Sequence, residues 1–138
     1  MKLIPRQYLA VIAVLLAIIM SVLDGTIMNV ALPTLAHDFE VEPSTAIWIV
    51  NVYQLAITMT LLSFASLGDI HGYRRIFLIG IVVFVSASFC CMMSGSFWTL
   101  TLSRVIQGFG AACVMSVNTA LIRLIYPPKI LGRGMAIN

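Results

Sequence analysis

Apolar runs of about 20 residues recur along this chain, and few of them carry a charge. A helix of that length crosses the roughly 30 Å hydrocarbon core of a bilayer. Inside lipid every backbone N–H and C=O must be satisfied within the structure, which leaves helices and closed barrels as the spanning solutions. Membrane barrels are written as short alternating segments with a polar lumen face, and that pattern is absent from this sequence. Composition decides the remaining question. The chain is 61% hydrophobic and 9% charged, whereas soluble domains carry roughly 25% charged residues. There is too little charge to cover a water-facing surface. The fold class is an all-α multi-pass membrane protein, and its first partner is the lipid bilayer.

The pattern predicts four transmembrane helices, at about 8–33, 45–67, 76–93 and 97–125, with Gly134 to Asn138 as the first turn of a fifth. Lys2 and Arg6 precede an apolar run from Gln7 to Leu23. That run is longer than the 7–15 residues of a signal-peptide core, so it reads as an uncleaved first helix. Pro33 lacks an N–H and marks the exit of the first helix. Ser44, just after Pro43, is the candidate N-cap of the second. Gly68 to Arg75 reads as a short loop, Ser94 to Ser96 as a tight uncharged turn, and Pro127 and Pro128 as the end of the fourth helix.

Seven of the eight Lys and Arg residues (Lys2, Arg6, Arg74, Arg75, Arg123, Lys129, Arg133) fall in the N-terminal segment, the second loop and the last segment. The first loop has His37, Asp38, Glu40 and Glu42 but no Lys or Arg, and the third is uncharged. The positive-inside rule then puts the N-terminus and the last segment in the cytoplasm, with an even number of spans between them. Topology accounts for the net charge of +3 without a nucleic-acid partner.

The eighth basic residue, Arg104, lies inside an apolar run, and Asp24 is the acid placed comparably deep. A charge at a helix centre costs roughly 2.5–3.5 kcal/mol on insertion scales, so such residues face a bundle interior or a watery cavity and take a partner. Asp24 sits roughly 15 Å from the outer end of the first helix and Arg104 roughly 10 Å from the outer start of the fourth, at 1.5 Å per residue. Their depths match if the two helices are neighbours. Burial disfavours a charged carboxyl and an adjacent guanidinium favours it. A site alternating between those environments couples proton movement to transport; a permanent structural salt bridge is the plainer reading.

Helical spacing puts Ala17, Met20, Ser21, Asp24, Met28 and Ala31 on one face. Gly25 and Asn29 lie on another, suited to close helix packing, as are Gly108 and Ala112 by the small-xxx-small pattern. Arg104, Gln107, Gly108, Ala111, Met115 and Asn118 share a polar, small-residue face. Met28, Asn51, Tyr53, Gln54 and Asn118 are candidate cavity-lining residues. Asp69, beside a Gly-containing turn, and Arg74 with Arg75 beyond it can form a charged latch; alternatively the arginines only set topology. Trp48, Trp98 and Tyr126 read as interface anchors. Cys90, Cys91 and Cys113 lie in apolar runs without metal or redox spacing and read as packing. His37 and His71 sit in loops and suggest no metal site. With no nucleophile, metal cluster or paired carboxylates in the membrane, the sequence does not read as an enzyme.

Three segments together resemble the major facilitator superfamily, in particular its fourteen-helix drug/proton antiporters. These are LDGTIMNVALP (Leu23–Pro33), SLGDIHGYRR (Ser66–Arg75) and LSRVIQGFGAA (Leu102–Ala112). They match, in order, the motifs of that group's first helix, second loop and fourth helix, and the likeness extends over essentially the whole chain. It implies that residues 1–138 are the N-terminal part of a transporter domain, four helices of a six-helix half. By motif match Asp24 becomes the acid of proton coupling, with Arg104 and Gln107 tied to the same step. Asp69, Gly72 and Arg74 become parts of a cytoplasmic latch or gate, with Arg75 beside them. The loop departs from the family pattern: Ala65 replaces its opening Gly, and Ile70 and Tyr73 stand where basic residues are usual.

The resemblance implies proton-coupled efflux of drugs or amphipathic compounds by alternating access, in a bacterial cytoplasmic (inner) membrane. The energy source is the proton gradient, with no cofactor. Beyond lipid, the implied partners are a small-molecule substrate and the transporter's remaining helices, without which the chain does not transport. Two alternatives stand. One is a symporter or uniporter of the same superfamily. The other, if the chain ends at Asn138, is a four-helix scaffold or channel.

Overall fold

The computed structural model describes residues 6–125, with side chains from residue 12 to residue 117. The described residues form five helices: α1 (Arg6–Asp38), α2 (Pro43–Ala46), α3 (Trp48–His71), α4 (Tyr73–Met92) and α5 (Phe97–Ile125). Ile47, the one residue between α2 and α3, itself has helical dihedrals. Among the described residues four segments are long and apolar enough to cross a membrane: Ile12–Asp38, Pro43–His71, Tyr73–Met92 and Phe97–Val117. The suggested fifth-helix turn at 134–138, the stop at Pro127 and Pro128, the Tyr126 anchor, and Lys2, Lys129 and Arg133 lie outside the described residues, as do the side chains of Asn118 and Arg123.

The ends of the helices differ from expectation in three places, each for a local reason. Pro33 does not end α1 but lies inside it. A missing N–H costs one rung of the ladder, and membrane helices tolerate this where other groups or water satisfy the freed carbonyl. The helix stops at a Schellman turn instead. Glu40 takes the left-handed position with φ of 50°, and Val41 N–H donates to Ala36 C=O at 3.0 Å. Ser44 does not cap α2. Glu42 is the N-cap and Pro43 fills the first turn, where its absent N–H is no loss; the Ser44 hydroxyl donates to the Glu42 carboxylate at 3.2 Å.

The second loop is the third difference. Residues 68–71 and 73–75, expected to be irregular, are helical, and Gly72 alone separates α3 from α4. Its φ of 92° lies where side chains other than glycine's are strained, and that one residue makes the turn. Gly72→Ala is accordingly expected to cost about 1–3 kcal/mol, measured as a lower melting temperature of the detergent-purified protein; an unchanged melt would show that the turn relaxes freely. At the third turn the chain follows expectation, and the start of α5 is capped reciprocally. Ser96 Oγ accepts from Thr99 N–H at 3.3 Å, and Thr99 Oγ1 accepts from Ser96 N–H at 3.3 Å, the logic of a capping box.

α5 is the most buried span and α1 the least. α5 packs on α3 along one side and on α4 along another, and glycines make both approaches close. A Cβ on Gly108 would stand 2.7 Å from Ala56 Cβ and 2.8 Å from the Tyr53 carbonyl oxygen, on α3. A Cβ on Gly110 would stand 2.6 Å from Phe84 N and 2.9 Å from the Gly80 carbonyl oxygen, on α4. Two residues apart on a helix point roughly 200° apart, so the two glycines serve opposite sides of α5. Ala112 is fully buried beside them. Gly25, by contrast, has nothing among the described residues within 4 Å of where a Cβ would be, and Asn29 is exposed, so neither meets another helix closely among the described residues.

The apolar core is layered along the bundle. One cluster joins Val14, Ile76, Phe77, Cys113, Val114 and Val117. A second joins Met28, Ile49 and Leu100 near the other end. Between them Tyr53, Phe84 and Ala111 form a third, at the level where the polar residues meet.

Candidate functional site

Each polar side chain of the centre is placed by the helix that carries it. α5 presents Arg104 and, almost one turn on, Gln107, which is wholly buried. α1 brings Asp24 against both. Arg104 Nη1 donates to Asp24 Oδ2 at 2.5 Å, and Gln107 Nε2 donates to Asp24 Oδ1 at 3.0 Å. The Asp24 side chain keeps 21% of its surface exposed, while that of Arg104 keeps 6%. α3 supplies Tyr53, whose ring centroid lies 5.9 Å from Arg104 Cζ, within reach of a cation–π attraction. α4 supplies Ser88, which accepts from Gln107 Nε2 at 2.7 Å. It also supplies Cys91, whose thiol points at Gln107 Oε1 at 3.7 Å.

Side chains of four helices thus meet around Asp24, α5 directly and α3 and α4 through Arg104 and Gln107. The Arg104 contact uses one of the five N–H donors that a guanidinium offers, where the strongest Arg–carboxylate pairs use two in parallel. Arg104 Nε is buried and has no hydrogen-bond partner among the described residues.

Beside the carboxylate lies an open cavity of about 300 Å³ between α1, α3 and α5, lined by residues that include Ser21, Gly25, Thr26, Asn29, Tyr53, Gln54 and Met115. It contains Tyr53 and Gln54 of the expected lining, together with Gly25 and Asn29, which were expected to pack. Met28 departs from expectation. It is buried with Ile49 and Leu100 and borders a different opening, near Phe39 and Cys91. Asn51 is exposed and lines neither opening. The side chain of Asn118 is outside the described residues.

At the opposite end of α3, Asp69 accepts a hydrogen bond from the Tyr73 hydroxyl. Arg74 and Arg75 are exposed on the first turn of α4, and among the described residues the ion pairs are Asp24–Arg104 and His37–Asp38. Trp48 and Trp98 are exposed at the starts of α3 and α5. Among the described residues no three His, Cys, Asp or Glu side chains cluster as a metal site. Ser88 and Cys91 are the polar partners that sequence reasoning missed. Ser88 and Cys91 stand beside Ser86 and Cys90 in an otherwise apolar stretch and carry no local signal; their role shows only when α4 is laid against α5.

The family model of the Major Facilitator Superfamily matches residues 14–138. Similar curated proteins include the "Uncharacterized transporter YebQ" of Escherichia coli (strain K12), 58% identical over 97% of this chain and 29% of that protein. Another is the "Riboflavin transporter RibZ" of Clostridioides difficile (strain 630), 35% identical over 96% of this chain and 29% of that protein. A third is the "Drug efflux pump JefA" of Mycobacterium tuberculosis (strain ATCC 25618 / H37Rv), 38% identical over 96% of this chain and 26% of that protein. The chain therefore spans less than a third of the length of these relatives. By the family match over nearly all its residues and by these likenesses, the chain belongs to the major facilitator superfamily and corresponds to the N-terminal part of its longer members.

Proposed function

We propose that this chain is part of a proton-coupled transporter that expels drugs or other amphipathic compounds by alternating access across a bacterial cytoplasmic membrane. The observation that carries the reading is the partly exposed Asp24 carboxylate, bound through one oxygen to Arg104 and through the other to Gln107. In this reading Asp24 takes up and releases the proton, Arg104 stabilises the charged carboxylate, and Gln107 orients it. The energy comes from the proton gradient and no cofactor is involved. The remaining helices of the full-length protein complete the substrate path, to which the cavity beside Tyr53, Gln54 and Met115 contributes. Asp69, Gly72, Arg74 and Arg75 serve as a latch on the cytoplasmic side, where the N-terminus also lies.

The test uses the full-length protein reconstituted in liposomes with an imposed pH gradient and ethidium as the transported probe. Asp24→Asn keeps the size of the side chain and its ability to accept from Arg104, but removes the titratable charge. Gradient-driven ethidium movement is expected to fall to background while the protein still melts cooperatively. Undiminished gradient-driven movement in that variant would remove Asp24 from the coupling step. A second reading, uptake or facilitated movement of a metabolite, is favoured by the likeness to a protein named a riboflavin transporter. Riboflavin run beside ethidium, with the gradient imposed in each direction, separates the two.

A further inference from the structure

Hydroxyls within the spans mostly turn back on their own helix. Ser21 donates to Ala17 C=O at 3.0 Å, Thr58 to Gln54 C=O at 2.8 Å and Thr101 to Phe97 C=O at 2.8 Å. Ser88 instead meets Gln107 across the α4–α5 interface at 2.7 Å. Gln107 has no exposed surface, so every polar atom of its amide needs a protein partner. Its two N–H groups go to Asp24 and Ser88, and its oxygen faces the Cys91 thiol.

This wiring suits one protonation state of Asp24. An ionised carboxylate only accepts, and Gln107 supplies an N–H. Once a proton is placed on Oδ1, that oxygen becomes an O–H donor and opposes the Gln107 N–H. Turning the amide over lets Gln107 Oε1 accept from the new O–H and from Ser88, but it carries both N–H groups to Cys91 Sγ, a weak acceptor. Ser88 shares Nε2 with Asp24, so its acceptor oxygen favours the sense in which a Gln107 N–H faces the carboxylate.

We propose that Ser88 is a positioning residue that holds a Gln107 N–H on Asp24, so that a proton gained or lost by the carboxyl group makes or breaks a line of contacts reaching α4. The state of the carboxyl group on α1 is thereby linked through α5 to α4. The proton stays on Asp24; the hydroxyl hydrogen of Ser88 only changes direction, and nothing is passed along the relay. The titratable and charged groups around Asp24 are Arg104 on α5, Tyr53 on α3 and Cys91 on α4. Arg104 is the fixed cation of the set, and Ser88 and Gln107 are neutral in both states.

The proposal rests on Asp24 being the coupling acid, so the experiment keeps the two ideas apart. Gradient-driven ethidium transport by the full-length protein is recorded against pH for Ser88→Ala, Ser88→Thr and Asp24→Asn. Ser88→Ala removes the anchor that points the Gln107 N–H at the carboxylate. Its profile is expected to move to the alkaline side by about half to one pH unit, the size of one net hydrogen bond. Ser88→Thr keeps the hydroxyl and is expected to restore the original profile. A Ser88→Ala profile that coincides with the unsubstituted one, while Asp24→Asn is dead, overturns the role of Ser88 alone. Transport surviving in Asp24→Asn overturns the proposed function instead. If Ser88→Ala fails to fold, infrared difference spectra of the unsubstituted protein give the second measure. The amide band that Gln107→Leu abolishes is expected to shift together with the carboxyl band during a pH titration. An amide band that stays fixed overturns the proposal.

Discussion

Replacing Arg104 with alanine is expected to abolish gradient-driven transport and to cost about 2–4 kcal/mol of stability. The side chain is 6% exposed and makes the one charged contact to Asp24. Breaking a fully buried ion pair by removing one partner costs roughly 3–5 kcal/mol, because the other charge stays buried and uncompensated. The figure is lowered here because a fifth of the Asp24 side chain still meets its surroundings and is partly screened. The guanidinium also lies over the Tyr53 ring, so packing is lost along with charge. The effect is read from thermal unfolding in detergent beside transport in liposomes. The double substitution Asp24→Asn with Arg104→Ala tests the cause. If the stranded carboxylate is responsible, the pair of changes recovers much of the stability lost by Arg104→Ala but none of the transport. If stability does not recover, the loss came from packing around the Arg104 stem.

The second large effect belongs to a residue with no polar chemistry. Gly110→Ala would put a Cβ 2.6 Å from Phe84 N, 2.8 Å from Phe84 Cα and 2.9 Å from the Gly80 carbonyl oxygen. All three are backbone atoms, so no side chain can swing aside and α4 must move away from α5. Overpacking typically costs 1–3 kcal/mol, and about 3 kcal/mol is expected where whole helices shift. That movement also lengthens the Ser88–Gln107 bond, which spans the same interface. The expected result is a lower melting temperature, less protein in the membrane fraction and a displaced pH profile in what remains. A Gly110→Ala protein melting within a degree of the original would mean that the two helices separate at negligible cost.

The spans and the Asp24–Arg104 pairing were legible because both rest on strong, sparse signals. A charge in an apolar run is expensive, and with one deep acid and one deep base the pairing has few solutions. Helix ends were less legible. Pro33 reads as a stop in a local pattern, yet the turn that ends α1 comes at Glu40, a residue type that does not advertise a left-handed conformation. The loop around Gly72 reads as eight irregular residues because it is polar, although a single positive φ makes the turn. Gly80 and Gly110 were not singled out, since a glycine in an apolar run looks alike whether it faces lipid or a neighbouring backbone. Gly25 shows the converse, a small residue in a plausible packing position that meets nothing within 4 Å. Ser88 stayed hidden for the same reason: its partner Gln107 lies 19 positions further along the chain, a separation that no local pattern spans.

The order in which the helices are synthesised gives the Asp24–Arg104 bond a further consequence. α1 is the least buried span among the described residues, and the Asp24–Arg104 bond is the ion pair that ties it to α5. Its two ends are 80 residues apart in the chain. At 5–20 residues per second, a ribosome takes on the order of 4–16 s to make the second end after the first. Throughout that interval the carboxyl group of the first helix resides at the insertion machinery without the cation that will hold it. Emergence of the fourth span is therefore the earliest point at which that pair can form. A pause in translation placed between residues 24 and 104 would prolong the interval in which a quality-control protease meets a first helix whose buried acid has no cation, without altering any contact of the finished protein.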